Sequence, residues 1–328
     1  MRAFVTGGTG FIGANLVLAL NRRGIAVRVL LRTRSSQKAL EGLSYETVEG
    51  DVLDVPERLA RAMDGCDWVF HVAAVAGYWR EKRERLYRVN VQGTRNVLQA
   101  AQEAGVRRLV FTSSLAALGI PGKKGELLDE RHDFNISPQA FPYGHSKHLA
   151  EQEVREAVDQ GLDAVIVNPS IVLGPRDVNQ ISGSIVVEAA RGRLRFTVPG
   201  GANFVDVEDV AASHIAAAEM GRAGERYILG GHNLAYSEAI PIICEVVGSR
   251  PPIFKIPSWI LPAAAVAVRG ARALIGNAVP ADENQVRIMD AFIFANTQKA
   301  VEALSLPRTP FRTTVQRTYN WYNQHGYL

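Results

Sequence analysis

Short apolar runs alternate with segments whose apolar residues recur every three to four positions. Arg2-Ala3-Phe4-Val5 is the first run, and residues 11–23 follow as an amphipathic helix with Ile12, Leu16 and Leu20 on one face. Ala26–Leu31 and residues 45–49 and 68–72 read as further strands. A long helix is predicted over 86–104, carrying Leu86, Val89, Gly93, Val97, Ala101 and Ala104 along one side. Next come a strand at Arg108–Thr112, a helix over 143–159 and a strand over 164–167. Apolar strands alternating with helices predict an α/β fold with a parallel sheet covered on both faces.

The alternation loosens after Asn168-Pro169, where the proline biases Asn168 to an extended conformation. Turns at Gly183-Ser184 and Pro199-Gly200-Gly201 precede helices predicted over 207–220, 237–247, 259–275 and 311–323. The most apolar stretch, residues 259–268, is broken by Pro262 and closed by Arg269. Ten residues fall short of a bilayer span, so a buried helix is expected there rather than one lying on a membrane surface.

Composition narrows the class. With 328 residues and 47% hydrophobic content, the chain can bury a full core. A net charge of +4 with scattered Lys and Arg gives no footprint for nucleic acid. The first strand starts at Arg2, which leaves no room for a targeting peptide, and Cys66 and Cys244 lack metal-ligand spacing; a reducing cytoplasm is the expectation. His145 and His148 lie three apart with no third ligand in view, so no metal is expected.

The first strand breaks into Thr6-Gly7-Gly8-Thr9-Gly10-Phe11-Ile12-Gly13 before its helix. Gly7 permits a tight turn, Gly10 lets the backbone approach a pyrophosphate, and Gly13 lets helix and strand pack closely. In that context the turn points to a dinucleotide site. Downstream, Tyr143-Gly144-His145-Ser146-Lys147 places a phenol and an ammonium four residues apart on one helix face. A neighbouring cation lowers a phenol's pKa, so Tyr143 is expected to serve as a general acid/base. The strand ending in Thr112-Ser113-Ser114 brings a hydroxyl to the carboxyl end of the sheet, where ligands sit.

Glycine turn, strand-end serine and Tyr-x-x-x-Lys, in this order and with the G-x-x-G-x-x-G spacing, resemble the extended short-chain dehydrogenase/reductases along most of the chain. The resemblance implies a Rossmann-type doubly wound sheet and a smaller C-terminal substrate lobe. Residues 1–170 and 204–231 would form the NADP-binding part, and 171–203 and 232–328 the lobe. Residues 207–220 and Arg226–Leu229 resemble the last βα elements of the family's core. The resemblance implies catalysis by Ser114 (Ser113 as fallback), Tyr143 and Lys147, with Asn90 supporting the site. It places cofactor contacts at Gly7, Thr9, Gly10, Phe11, Ile12, Gly13, Asp51, Val52, Ala73, Ala74, Pro169 and Ser170, and pairing of two copies through the helices at 86–104 and 143–159. Asp51 could equally cap a turn, and His71 could be a satisfied core histidine.

The second strand ends without an acid; Arg32 and Arg34 follow instead. Arginine suits a 2′-phosphate, so NADP is the expected cofactor. Sugar-nucleotide members of the family carry an Arg-Asp pair where this chain has Ala202-Asn203, which argues against a nucleoside diphosphate substrate, although Arg193 and Arg195 are nearby. The chain most resembles the dihydroflavonol-4-reductase-like branch and hopanoid-associated sugar epimerases. A small-molecule ketone or aldehyde is expected, met by Tyr78, Trp79, Ser114, Ile120, Pro121, Val178 and Ile181; an epimerase or dehydratase is the alternative. A non-catalytic NADP(H)-binding sensor or scaffold is the alternative of another class; such relatives typically lose the tyrosine, whereas this chain keeps Tyr143 and Lys147.

Overall fold

The computed structural model describes residues 1–76, 81–123, 125–275, 279 and 282–328. Its first half runs β1 (Arg2–Thr6), α1 (Phe11–Arg22), β2 (Ala26–Leu31), β3 (Glu46–Glu49), α2 (Pro56–Met63) and β4 (Trp68–His71). Then come α3 (Arg83–Tyr87), α4 (Gly93–Glu103), β5 (Arg108–Thr112), α5 (Pro142–Asp159) and β6 (Ala164–Pro169). The second half adds β7 (Ile171–Leu173), α6 (Ser184–Ala190), β8 (Phe196–Thr197), β9 (Gly201–Asp206), α7 (Val207–Met220) and β10 (Arg226–Leu229). It closes with β11 (His232–Ala235), α8 (Tyr236–Val247), β12 (Phe254–Lys255), α9 (Leu261–Ile275), α10 (Glu283–Arg287), β13 (Phe292–Ile293), α11 (Gln298–Leu304) and α12 (Phe311–Gln324).

Seven parallel strands form the main sheet in the order β10-β6-β5-β4-β1-β2-β3. Period-two alternation sorts their side chains. Ala3, Val5, Phe70, Val110 and Val165 join one core with α1 and α7, while Phe4, Val69, Leu109, Phe111 and Ile166 join the other with α2, α4 and α5. Both faces are covered, so the fold is the doubly wound α/β class expected. Strand order reverses between β1 and β4, and a ligand crevice opens at such a switch point. The helix predicted over 86–104 is α3 and α4 joined by one wide π-turn, Arg88–Gln92.

The second half holds a smaller sheet that local pattern did not signal. Its central strand β9 pairs with β11, β13 and β7. These partners lie roughly 30 to 90 residues apart, beyond any local periodicity. A stretch expected to be buried is instead exposed: the apolar helical segment runs from Ser258 to Ile275, 18 residues, and only 11% of it is buried. By length and composition alone it could cross a membrane. Leu261 and Ala265 of α9 pack with Val286, and the opposite face is open.

Candidate active site

The carboxyl ends of β1, β4, β5 and β6 border a cleft of about 470 Å³. At its floor the glycine turn is set by contacts that admit no side chain. Gly7 has φ +70°, and a Cβ on it would lie 2.6 Å from the Ala73 amide nitrogen. A Cβ on Gly13 would lie 2.2 Å from the Gly7 carbonyl oxygen. Gly10 starts α1 with no side-chain cap, and no acid occupies the first turn, so the amides there are free for an anion. Thr9, Phe11 and Ile12 complete this wall; Asp51, Val52, Ala73, Ala74, Pro169 and Ser170 line the same cleft. Cradle and donor set therefore fit a dinucleotide.

Several of these side chains already have partners. Asp51 Oδ1 accepts from the Leu53 amide at 3.0 Å, so its turn-capping role is real whatever else it does. Ser170 donates to Asn203 at 2.7 Å. Arg32 reaches the cleft, and with Arg58 it also lines an adjoining hollow of about 230 Å³. Arg34 lines neither space: it sits on an exposed turn, so its expected cofactor contact is not seen.

The two serines at the end of β5 part company. Ser114 hydrogen-bonds Tyr143 and accepts from the Ala116 amide at 3.2 Å, capping a short 3-10 helix, Leu115–Leu118. Ser113 donates instead to the fully buried Glu151 at 2.6 Å. Glu151 also receives Asn168 Nδ2 at 2.6 Å and Arg226 Nη1 at 3.0 Å. Asn168 Nδ2 further donates to the Ser114 carbonyl at 3.0 Å, holding that residue in register. Tyr143 comes close because Gly144 lets α5 approach: a Cβ there would lie 2.6 Å from the Ala116 carbonyl oxygen.

The electrostatics reverse one expectation. Burial raises the Tyr143 phenol pKa, and the Ser114 hydrogen bond only offsets part of this. Lys147 lines the same cleft. Its ammonium donates to the Thr112 carbonyl at 2.6 Å, lies 4.3 Å from the centre of the Phe111 ring, and burial lowers its pKa to about 7 despite Glu151. The i,i+4 spacing puts both groups on one face, and both line the cleft, the lysine anchored on the end of β5.

Asn90 does not reach the cleft. Its side chain clamps Val75, accepting from the amide at 2.8 Å and donating to the carbonyl at 3.1 Å, and donates to Ser146 at 3.0 Å. Ser146 in turn donates to the Tyr143 carbonyl at 2.7 Å. Asn90 is thus a positioning residue, presented by the π-turn, and not a catalytic one. His71 is a satisfied core histidine: Thr94 donates to the Asn90 carbonyl, so it accepts from His71 Nε2, leaving Nδ1 to accept from Thr6. Burial first, then Lys147, lowers the His71 pKa to about 3, keeping it neutral.

Among the expected substrate contacts, Ile181 lines the cleft, while Ile120, Pro121 and Val178 do not; Tyr78 and Trp79 fall outside the described residues. Arg193 and Arg195 lie away from it, exposed. Sequence reading missed Arg85, which lines the cleft and pairs with Glu81 at 2.8 Å. Its signal was available: Arg85 and Val89 are four apart on one helical face, and both line the cleft.

The NAD dependent epimerase/dehydratase family matches residues 3–230. A protein of Synechocystis sp. that carries the provisional name dihydroflavonol 4-reductase is 38% identical, covering 99% of this chain and 95% of its own. Sterol demethylase protein B of Methylococcus capsulatus is 32% identical over the whole of both chains. The crystal structure of gox2253 superposes with a TM-score of 0.88 at 34% identity, covering 100% of this chain and 99% of its own. A glycine cradle at a switch point, a family match over most of the length and relatives of equal extent agree: this chain belongs to the NAD dependent epimerase/dehydratase family of oxidoreductase and epimerase enzymes that use a nicotinamide dinucleotide.

Proposed function

We propose that the protein is an NADP-dependent reductase of a ketone or aldehyde, with Ser114, Tyr143 and Lys147 as its reactive group. The observation that carries this reading is the convergence of the Ser114 hydroxyl and the Tyr143 phenol on the cleft that holds the glycine turn. The dinucleotide, when bound, supplies the hydride. Tyr143 donates its proton to the substrate oxygen, and its raised pKa keeps the phenol protonated through neutral pH, which suits reduction. Ser114 holds that oxygen against the phenol. Lys147 secures the strand end through Thr112 and orders the floor of the site. The walls contributed by Val75, Ala76, Val89, Val172 and Ile181 fit an apolar substrate, in line with relatives named for a dihydroflavonol and a sterol.

A second reading, epimerase or dehydratase, is favoured by the family match itself. Against it, Ala202 and Asn203 are buried in β9, Asn203 bonded to Ser170, Gly231 and Asn233, so no phosphate-binding arginine stands there. Screening ketones, aldehydes and flavanonols for NADPH oxidation separates the two, because an epimerase consumes no cofactor. In that screen Tyr143→Phe should lose about 10²- to 10⁴-fold in turnover with NADPH affinity little changed. Near-normal activity in that variant would make Tyr143 structural and end the reductase reading.

A further inference from the structure

Around α9 the protein leaves large apolar side chains uncovered. Ile253, Phe254, Trp259 and Leu274 are each at least 73% exposed, and Val266 and Ile275 more than half. Phe254 pairs across the β8–β12 ladder with Phe196, itself 54% exposed, which extends the patch onto a second segment. Single exposed hydrophobics need no explanation, but a contiguous group of this kind marks a contact surface. Helix α9 is apolar on both sides apart from Arg269, whose side chain is 61% exposed. Its inner side, Leu261 and Ala265, packs with Val286, whereas Pro262, Val266, Arg269, Ala273 and Leu274 face outward, Arg269 as the one charge among them. A helix in water would carry polar residues on that outer face.

Charge identifies the occupant. Residues 249–275 contain Arg250, Lys255, Arg269 and Arg272 and no acid. Arg269 and Arg272 pair with Glu283 and Asp282 of α10, at 3.5 and 3.1 Å. Among the described residues no carboxylate lies within 4 Å of Arg250, Lys255 or Arg195, the last adjoining Phe196. Unpaired cations thus flank an apolar surface. A second copy docked on the same patch would set these cations against each other, because a two-fold contact is self-complementary. An anionic bilayer meets both requirements: acyl chains for the apolar side chains, headgroups for the cations, and an interfacial level that suits Trp259. With Leu261 and Ala265 held by the protein, the helix lies on the surface and does not cross.

We propose that the face formed by β12, α9 and the edge of β8 seats the protein on an anionic membrane surface. The test is sedimentation of the full chain with vesicles of phosphatidylcholine alone or mixed with phosphatidylglycerol. Binding is expected to the mixed vesicles and should weaken in about 0.5 M salt, where screening shortens to a few ångströms. Arg250→Gln/Lys255→Gln should weaken it about 25-fold, near five-fold per cation. Val266→Asp/Leu274→Asp should abolish it. Both double variants should keep the wild-type melting temperature and NADPH affinity, since every altered side chain is exposed. No binding to the mixed vesicles, or binding unchanged by either variant, overturns the proposal. So does a dimer mass in light scattering that Val266→Asp/Leu274→Asp reduces to 35.8 kDa without any vesicle binding, which makes a second copy the occupant. Binding that survives high salt and alkaline carbonate would replace seating by a span.

Discussion

Helices α1 and α9 each contain a glycine within an apolar sequence, and the two positions differ in what surrounds them. At Gly13 a Cβ would lie 2.2 Å from the Gly7 carbonyl oxygen; at Gly270 nothing lies within 4 Å. The first is a backbone crossing that only hydrogen can fill. The second is open space on an exposed face. The contrast extends to the regions around them. The sheet half of the molecule is packed from both sides, and it holds buried polar chains such as Thr6–His71–Thr94–Asn90. The α9 half presents one packed side and one bare side. An apolar helix therefore means a different thing in each half.

The largest expected effect tests the packed half. Gly13→Ala forces Cβ into backbone that cannot yield cheaply, and should cost at least about 3 kcal/mol of stability. It should also abolish NADPH binding, because the amides of the α1 N-terminus are displaced. Denaturant unfolding and a fluorescence titration check this. Wild-type affinity in the variant would mean that the turn is not the dinucleotide cradle.

Next in size is cofactor choice. If Arg32 meets a 2′-phosphate, NADPH binds more tightly than NADH. Arg32→Ala should remove about 2 to 4 kcal/mol of that preference, roughly 30- to 1000-fold. Arg34→Ala should change little, because Arg34 lines neither cleft nor hollow. Equal wild-type affinity for the two cofactors would sink the assignment. An effect at Arg58, which shares the hollow with Arg32, would extend it.

How much of this could be read from the chain varies with the range of the cause. The glycine turn was legible because its constraint runs between residues six apart, Gly7 and Gly13, and the strand–helix context is adjacent. The central strands of the main sheet were legible because burial on both faces makes them largely apolar, whereas the edge strand β3, Glu46–Glu49, is mostly polar and exposed. The choice between Ser113 and Ser114 needed more. It depends on which way β5 turns its final residues, and that is fixed by Glu151 and Asn168, 38 and 54 residues on. That Lys147 meets the Thr112 carbonyl was not legible for a similar reason: spacing tells which face a side chain occupies, not which backbone group β5 offers it. The α9 segment was misread because apolar periodicity reports a helix's own chemistry and is silent on whether anything covers it.

Lys147 gives a smaller, pH-dependent test. Its folded pKa of about 7 lies below the unfolded value near 10.5. Between those values the unfolded chain holds a proton that the folded one lacks, so stability should rise with pH across that window. The slope is at most about 1.4 kcal/mol per pH unit. Below pH 7 both states are protonated and the burial penalty is present in full. Lys147→Met should flatten the rise, read from melting temperatures between pH 7 and pH 10. A wild-type curve already flat there would place the ammonium in a solvated setting at odds with its burial. Above pH 10 the raised Tyr143 pKa works the other way, since the unfolded phenol ionises first.

The smallest effect returns to the bare half and has the opposite sign to the first. Gly270 lies inside α9, where its backbone is helical and nothing beyond its chain neighbours and the helix's own backbone stands within 4 Å of the place a methyl would take. Alanine there removes conformational freedom from the unfolded chain and clashes with nothing in the folded one. Gly270→Ala should therefore stabilise by about 0.5 to 1 kcal/mol. The gain should appear only in unfolding that includes α9, so a melt followed at the cofactor site alone would under-report it if the two halves unfold separately. Because a methyl adds to the outer apolar face without altering charge, vesicle binding should be retained or slightly strengthened. Destabilisation by Gly270→Ala would mean that the face is covered by protein after all, and that α9 resembles α1 more closely than its exposure indicates.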